Sequence, residues 1–333
     1  MTNIDAAQAF FIAIIFSYLA TPFMAYIAKK LDFLDHPARK KAHAHSTPLL
    51  GGIAVYFAFI AALYFTVSFN DPLKGALIGG SVLVIAGVVD DKYGMMPNVK
   101  LLAQLIAALA AVKMGVRVSF IKIPFLSAAF TVVWLVGMTN AFNLLDNLNG
   151  LSAGIAGISG LFFGALALTR GDAALAVVSF AIAGSCFGFL KHNFPRANIF
   201  MGDAGSLFLG FILASIAVIG SWKTTSVTTS LAVPIFILGY PIFDTTLVTF
   251  KRLQEGRPIS KGGGDHSSHR LAILGFKKRR AVLALYAVSC ALGLAAFGMT
   301  RAGAYFDMAI MIISFMAMLA FGIRLGMVRI KYK

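Results

Sequence analysis

Long apolar runs separated by short polar breaks dominate this chain. A membrane-crossing helix needs roughly 17–25 mostly apolar residues. Eleven segments fit that pattern, at 6–28, 50–69, 74–89, 101–115, 125–142, 151–169, 173–190, 205–222, 229–250, 281–299 and 304–323, the fourth being short. Between the fourth and fifth, VRVSFIKIPF (116–125) alternates apolar and polar positions. It is expected as a short hairpin or amphipathic piece outside the bilayer. No internal repeat or low-complexity segment interrupts the series. The expected fold is all-α: a polytopic integral membrane protein with about 11 transmembrane helices, organised as one domain over residues 1–333.

Lysine and arginine orient the spans, because loops on the cytoplasmic side carry an excess of both. Loops 29–49, 90–100, 143–150, 191–204 and 251–280, with the C-terminal tail, lie on one side of the series and hold 22 of the 29 basic residues. The other side holds only Lys74, Lys113, Arg117, Lys122, Arg170, Lys223 and Arg301. This split makes the first set cytoplasmic, with the N-terminus outside and the C-terminus inside.

Composition agrees. Hydrophobic residues make up 59% of the 333 and charged residues 13%, and a soluble domain carries roughly twice that charge. Mean hydropathy is +0.84. Cys186 and Cys290 sit in apolar runs and imply no disulfide framework. No basic region precedes the first apolar run, so a cleaved signal peptide is not expected. The net charge of +16 suits anionic lipid or substrate rather than nucleic acid in such a chain.

Against this background the acids stand out. Apart from Glu255 they are all aspartates, several of them at span ends on the cytoplasmic side. In VLVIAGVVDDKYG, Asp90 and Asp91 close an apolar run where the helix dipole disfavours anions. They are either a solvated helix boundary or a carboxylate pair that binds Mg²⁺ or takes a proton. In NAFNLLDNLNG (140–150), Asn140, Asn143, Asp146 and Asn149 recur every three residues and share a helix face. They form either a helix–helix hydrogen-bond seam or a ligand-facing row. In FMGDAGSLFLG (200–210), Asp203 lies where a small-residue turn enters a helix. It is a bare cap, or the best single candidate for a Mg²⁺ ligand at a phosphate site.

Two basic loops complete the set. EGRPISKGGGDHSSHRL (255–271) brings Lys261, His266, His269 and Arg270 beside a glycine run, which suits a diphosphate better than zinc. DHPARKKAHAHSTPLLGG (35–52) offers Lys41 and His43 to an anionic substrate, or serves only as a positive-inside anchor. The Lys/Arg topology puts all five clusters on one membrane face. That points to chemistry on a water-borne phosphorylated substrate with a partner in the lipid.

The ordered motifs KKAH with Pro48 and Gly51-Gly52, then Asp90-Asp91, NAFNLLDNLNG, FMGDAGSLFLG, PIFDT (241–245) and a histidine loop resemble one family. It is that of the polyprenyl-phosphate N-acetylhexosamine-1-phosphate transferases, glycosyltransferase family 4, and the match runs from about residue 35 to 271. The likeness is greater to the N-acetylglucosamine branch than to the phospho-MurNAc-pentapeptide translocase, whose activity is the alternative within the family. The resemblance implies transfer of an N-acetylhexosamine 1-phosphate, GlcNAc-1-P first among them, from its UDP-sugar to undecaprenyl phosphate. The products would be undecaprenyl-diphospho-sugar and UMP, in the first membrane step of a cell-envelope polysaccharide such as lipopolysaccharide or teichoic acid. It also implies Mg²⁺, replaceable by Mn²⁺, a bacterial inner-membrane location with a cytoplasmic active site, and a compatible homodimer.

By the same resemblance, Asp203 and Asn143 hold the metal. Asp90 and Asp91 orient or deprotonate the lipid phosphate, whose second pKa of about 6 leaves little need for a base. His266, His269 and Arg270 grip the diphosphate, Lys41 and His43 belong to the basic first loop, Asp146 and Asn149 lie on the sugar-nucleotide side, and Asn140 is a further substrate-binding candidate. The chain departs from many bacterial members in carrying Asn149 where they have aspartate, and in the serine-spaced DHSSHR loop. The expectation from another class is a secondary transporter of an anionic solute, which would more often place its ionisable groups near the midplane.

Overall fold

A computed structural model describes residues 3–35, 46–66, 70–220, 222, 227–258, 263–301 and 303–330. The helices group into two compact units, Met1–Gly220 and Ser221–Lys333. The first contains α1 (Asn3–Lys30), α2 (Gly51–Thr66), α3 (Asp71–Tyr93), α4 (Pro97–Lys113), α5 (Pro124–Leu145), α6 (Leu151–Thr169), α7 (Ala173–Asn193) and α8 (Gly202–Ile219). A two-residue antiparallel pair, β1 (Leu34–Asp35) and β2 (Thr47–Pro48), lies between α1 and α2. The second unit contains α9 (Val227–Ile237), α10 (Gly239–Gln254), α11 (Ser267–Ile273), α12 (Lys278–Met299) and α13 (Ala304–Gly326).

Among the described residues eight helices are long and apolar enough to cross a membrane, or nine if α9 and α10 form one broken span. Each of the eleven expected segments falls on a helix, but α2, with 16 residues, and α4, with 17, are short. Large apolar side chains such as Phe11, Phe23, Ile85, Val133 and Phe315 face outward. A soluble protein would hide such residues, whereas a bilayer accepts them because helices already satisfy their backbone polar groups internally.

The segment expected at 229–250 is not one straight rod. It bends by 78° between Ile237 and Gly239. Pro241 has no N–H to donate to the Ile237 carbonyl, and its ring would clash with that carbonyl in a continuous helix. The piece expected at 116–125 as a short hairpin or amphipathic segment forms neither strand nor helix before Pro124. Instead the Val118 backbone donates to Thr131 Oγ1 at 3.1 Å, and Ser127 Oγ donates back to the Val118 carbonyl at 2.7 Å. These bonds pin the connection to the first turns of α5.

Within the first unit, α8 is the central helix, packed by α2, α3, α5 and α6. Small residues make the close packing possible. A Cβ added at Gly87 of α3 would run into the Ala204 backbone, and one at Gly52 of α2 into the Gly205 backbone. The start of α2 is also tied to the α7–α8 connection. Gly51 and Gly52 donate to the carbonyls of Phe200 and Met201 at 3.0 and 2.8 Å, and Phe200 donates to Pro48 at 2.7 Å. The end of α3 and the starts of α2 and α8 therefore meet at one end of this unit.

Candidate functional site

The two adjacent aspartates at the end of α3 have different partners. Asp91 turns to the start of α8, where its Oδ1 accepts from the Asp203 N–H at 2.8 Å and its Oδ2 from the Ala204 N–H at 3.2 Å. An anion misplaced at the C-terminus of its own helix thus becomes the cap of another helix's N-terminus, where orphan N–H groups and the dipole favour it. Gly202 makes room for it: its φ is +72°, and a side chain there would collide with Asp91 Oδ2. Asp90 closes the α3–α4 turn instead. Its Oδ1 accepts from the Met95 N–H at 2.6 Å, and its Oδ2 pairs with Lys100 Nζ at 2.9 Å.

Lys100 also pairs with Asp203 Oδ2. The other oxygen of Asp203 accepts from Asn143 Nδ2 at 2.7 Å, and the same amide reaches Ser206 Oγ at 3.0 Å. Burial works against the ammonium of Lys100, but the Asp203 and Asp90 carboxylates outweigh it and raise its pKa above the ordinary lysine value. The result is a continuous network, Asp90–Lys100–Asp203–Asn143–Ser206, across the ends of α3, α4, α5 and α8.

The polar row of α5 divides. Asn140 exchanges two hydrogen bonds with Gln104 of α4, at 3.1 and 2.7 Å, and forms a helix–helix seam. One turn on, Asn143 meets Asp203. Asp146 follows as the cap residue of α5. Desolvation first, and then the charge of Asp203, push its carboxyl up to about 7. Asn149 Nδ2 lies 3.5 Å from the Pro195 carbonyl, in a loop anchored by Asn193 Oδ1, which accepts from the Gly150 N–H at 2.6 Å.

Sequence reasoning did not single out Lys100, Ser206, Gln104 or Asn193. Lys100 left one readable signal. A cation in the first turn of a helix opposes the dipole, as Asp90 and Asp91 do at the other end.

The donor set suits a hard divalent cation. Asp203 offers a carboxylate and Asn143 an amide beside it, and the Asp90 carboxylate lies on the other side of Lys100, while burial pushes Asp91 up to about 8 and Asp146 up to about 7, toward their neutral forms. No three His, Cys, Asp or Glu side chains form a metal cage among the described residues. Magnesium needs none, since it commonly takes one or two carboxylates, water and substrate phosphates.

The histidine loop lies in the second unit. His266 Nδ1 is 2.7 Å from Asp244 Oδ2, and Asp244 Oδ1 accepts from the Ser267 N–H at 2.8 Å. Tyr240 Oη and Ser267 Oγ are 2.9 Å apart beneath them. The His269 ring lies 6.2 Å from that of His266. Burial, then the neighbouring His266, hold its pKa below the ordinary histidine value. Asp265 is fully buried and forms a two-bond pair with Arg252, at 2.8 and 2.7 Å.

Arg270, expected to grip a diphosphate, has its Nη2 buried with no hydrogen-bond partner among the described residues, while its other nitrogens bind backbone. It is 1% exposed, and its guanidinium donates to the carbonyls of Asp265, Leu325 and Val328 at 2.9, 3.1 and 3.1 Å. These carbonyls include those at the C-terminal end of α13, so Arg270 ties the loop to that helix. Lys41 and His43 lie outside the described residues.

Comparison with known proteins adds an independent line. The family described as glycosyl transferase family 4 matches residues 73–221, the stretch that contains Asp90, Asp91, Asn143, Asp146 and Asp203. A Bacillus subtilis protein named probable undecaprenyl-phosphate N-acetylglucosaminyl 1-phosphate transferase is 33% identical over 335 residues, covering 98% of this chain and 93% of its own. The decaprenyl-phosphate N-acetylglucosaminephosphotransferase of Mycobacterium leprae is 30% identical over 86% of this chain and 81% of its own. The undecaprenyl-phosphate alpha-N-acetylglucosaminyl 1-phosphate transferase of Thermotoga maritima is 30% identical, with 72% of each chain covered.

Proposed function

This multi-pass membrane protein belongs to glycosyl transferase family 4, and from that premise we propose that it transfers N-acetylglucosamine 1-phosphate from UDP-GlcNAc to undecaprenyl phosphate. A phosphate oxygen of the lipid forms a bond to the β-phosphorus of the nucleotide sugar. The bond from that phosphorus to the oxygen bridging it to the α-phosphate breaks, and UMP leaves with the electron pair. The product is undecaprenyl-diphospho-GlcNAc, which starts a cell-envelope polysaccharide on the cytoplasmic face of the bacterial inner membrane.

The observation that carries this reading is the Lys100–Asp203–Asn143 arrangement at the start of α8. The negative charges of the donor diphosphate and the acceptor phosphate must be brought close, so catalysis is mostly positioning and neutralisation. Asp203 and Asn143 would hold Mg²⁺, which supplies positive charge to the diphosphate when bound. Lys100 exchanges a carboxylate partner for a phosphate oxygen as substrate enters. Asp90 keeps Lys100 aimed, and Asp91 holds the α8 terminus that presents Asp203. Asp146 and Asn149 serve the sugar nucleotide, and His266 and His269 its phosphates.

The test uses the purified full chain in detergent with radiolabelled UDP-GlcNAc and undecaprenyl phosphate. A butanol-extractable labelled lipid, formed with Mg²⁺ and lost with EDTA, is the expected result. Label that stays in the aqueous phase under all conditions would refute the transfer. UDP-MurNAc-pentapeptide in place of UDP-GlcNAc is expected to give no lipid product.

A further inference from the structure

The PIFDT motif places Asp244 on α10, and the mechanism above gives it no task. Its environment does. Asp244 is 1% exposed and His266 3% exposed. Both carboxylate oxygens are engaged on the same short stretch, Oδ1 by the Ser267 N–H at 2.8 Å and Oδ2 by His266 Nδ1 at 2.7 Å. Two bonds to consecutive residues fix both the position and the rotation of the carboxylate. Tyr240, one turn earlier on α10, reaches Ser267 Oγ at 2.9 Å and locks the same stretch from the other side.

We infer that Asp244 is the positioning residue of His266: its carboxylate takes the Nδ1–H and fixes the ring so that Nε2, carrying the second proton of the imidazolium, is the nitrogen left to donate to a substrate phosphate. The inference rests on the transferase reading for the word substrate, but not for the geometry. A carboxylate oxygen only accepts, so the imidazole nitrogen facing it must donate. Of the two ring nitrogens, the hydrogen bond made by one decides the form of the other. An imidazole with its single proton on Nδ1 shows a lone pair at Nε2, so the ring donates to a phosphate oxygen only as the imidazolium, whose charge the Asp244 carboxylate balances and an amide in its place would not. Fixing the ring beforehand removes the cost of ordering it from the bound state. The bent α9–α10 pair contributes directly, because α10 carries both Tyr240 and Asp244 along its first two turns.

A merely structural role for Asp244 predicts the same loss whether or not His266 is present. The positioning role does not. With ¹⁵N-histidine-labelled full-length protein in nanodiscs, the His266 signal is identified by its disappearance in His266→Gln. The wild-type signal is expected to show a protonated Nδ1. Asp244→Asn keeps an acceptor for the Ser267 N–H but turns an amide donor toward the ring, and is expected to leave a single proton, on Nε2. A wild-type signal with unprotonated Nδ1 would overturn the inference, and that measurement needs no variant to fold.

In the transfer assay, Asp244→Asn is expected to lower kcat about 10–100-fold, the range seen when an orienting partner of a functional histidine is removed. Combining it with His266→Ala should lower kcat no further than His266→Ala alone. Losses that multiply would assign Asp244 a role independent of His266 and refute the inference. A wild-type protein that forms no lipid product would refute the transferase reading instead, while the ¹⁵N spectrum still decides the Asp244–His266 relation.

Discussion

The carboxylate of Asp91 holds the backbone of Asp203, with Asp91 Oδ1 2.8 Å from the Asp203 nitrogen across 112 residues of chain. One aspartate of the adjacent pair therefore serves the placement of another aspartate on a different helix. Asp91→Ala removes both caps from α8 and is expected to cost about 1–2 kcal/mol, the usual worth of an N-cap. Thermal unfolding in detergent measures it. Asp203→Asn keeps the cap and should leave the thermal midpoint near wild type while removing nearly all turnover. A variant with normal turnover at limiting Mg²⁺ would remove Asp203 from the metal site.

Lys100 joins Asp90 and Asp203, so its removal has two opposed consequences. Lys100→Met frees the Asp203 carboxylate from a competing cation, and the Mg²⁺ concentration for half-maximal activity should fall. The charge needed by substrate phosphates is lost at the same time, and kcat should fall by about 100-fold or more. A magnesium titration of the transfer rate reads both. A rise in the half-maximal concentration would mean that Lys100 helps to bind the metal rather than competing with it.

Arg270 bonds three backbone carbonyls from a fully buried position. Arg270→Ala leaves acceptors without donors, each costing about 1–3 kcal/mol. The expected result is a drop in thermal midpoint larger than that of His269→Ala. Comparing the two melting curves checks it. An Arg270→Ala variant that melts like wild type but binds the donor poorly would return Arg270 to the substrate.

Asp265 sets the acid limit of the loop. Burial opposes its charge, but the Arg252 guanidinium outweighs it, so its pKa falls from 3.8 to about 2. Because the folded value lies below the unfolded one, the pair's stabilisation is fully present above about pH 4 and disappears as pH falls through about 2. The shift corresponds to roughly 2 kcal/mol. Pepsin cleavage within 263–271, taken relative to an unstructured peptide of the same sequence, should therefore stay slow at pH 4 and accelerate toward pH 2. In Arg252→Met the acceleration should already be present at pH 4.

How much of this was readable beforehand depends on range along the chain. The expected apolar segments fall on helices, 229–250 on two of them, since hydropathy is a local property and a membrane enforces it. The bend before Gly239 was readable in part, because Pro241 disfavours helix through the turn before it, but the motif drew attention as chemistry rather than as geometry. The acidic pair was recognisable as misplaced charge. That Asp91 caps α8 and Asp90 turns to Lys100 was not, because those partners come from different helices. The asparagine row shared a face as its spacing required, yet Asn140 found Gln104 and Asn143 found Asp203.

The sequence by itself therefore determined the membrane class, the helices, the family, and the small set of polar groups that an apolar chain would retain only for a reason. The tertiary structure decided which of those groups meet. The physical cause is the cost of burying a polar or charged group without a partner. That cost favours a partner for each such residue, but helix packing, in which Gly52 and Gly87 let α2 and α3 approach α8, selects the partner. The separation of Asp90 from Asp91, and the commitment of Asp244 to His266, exist only at that level.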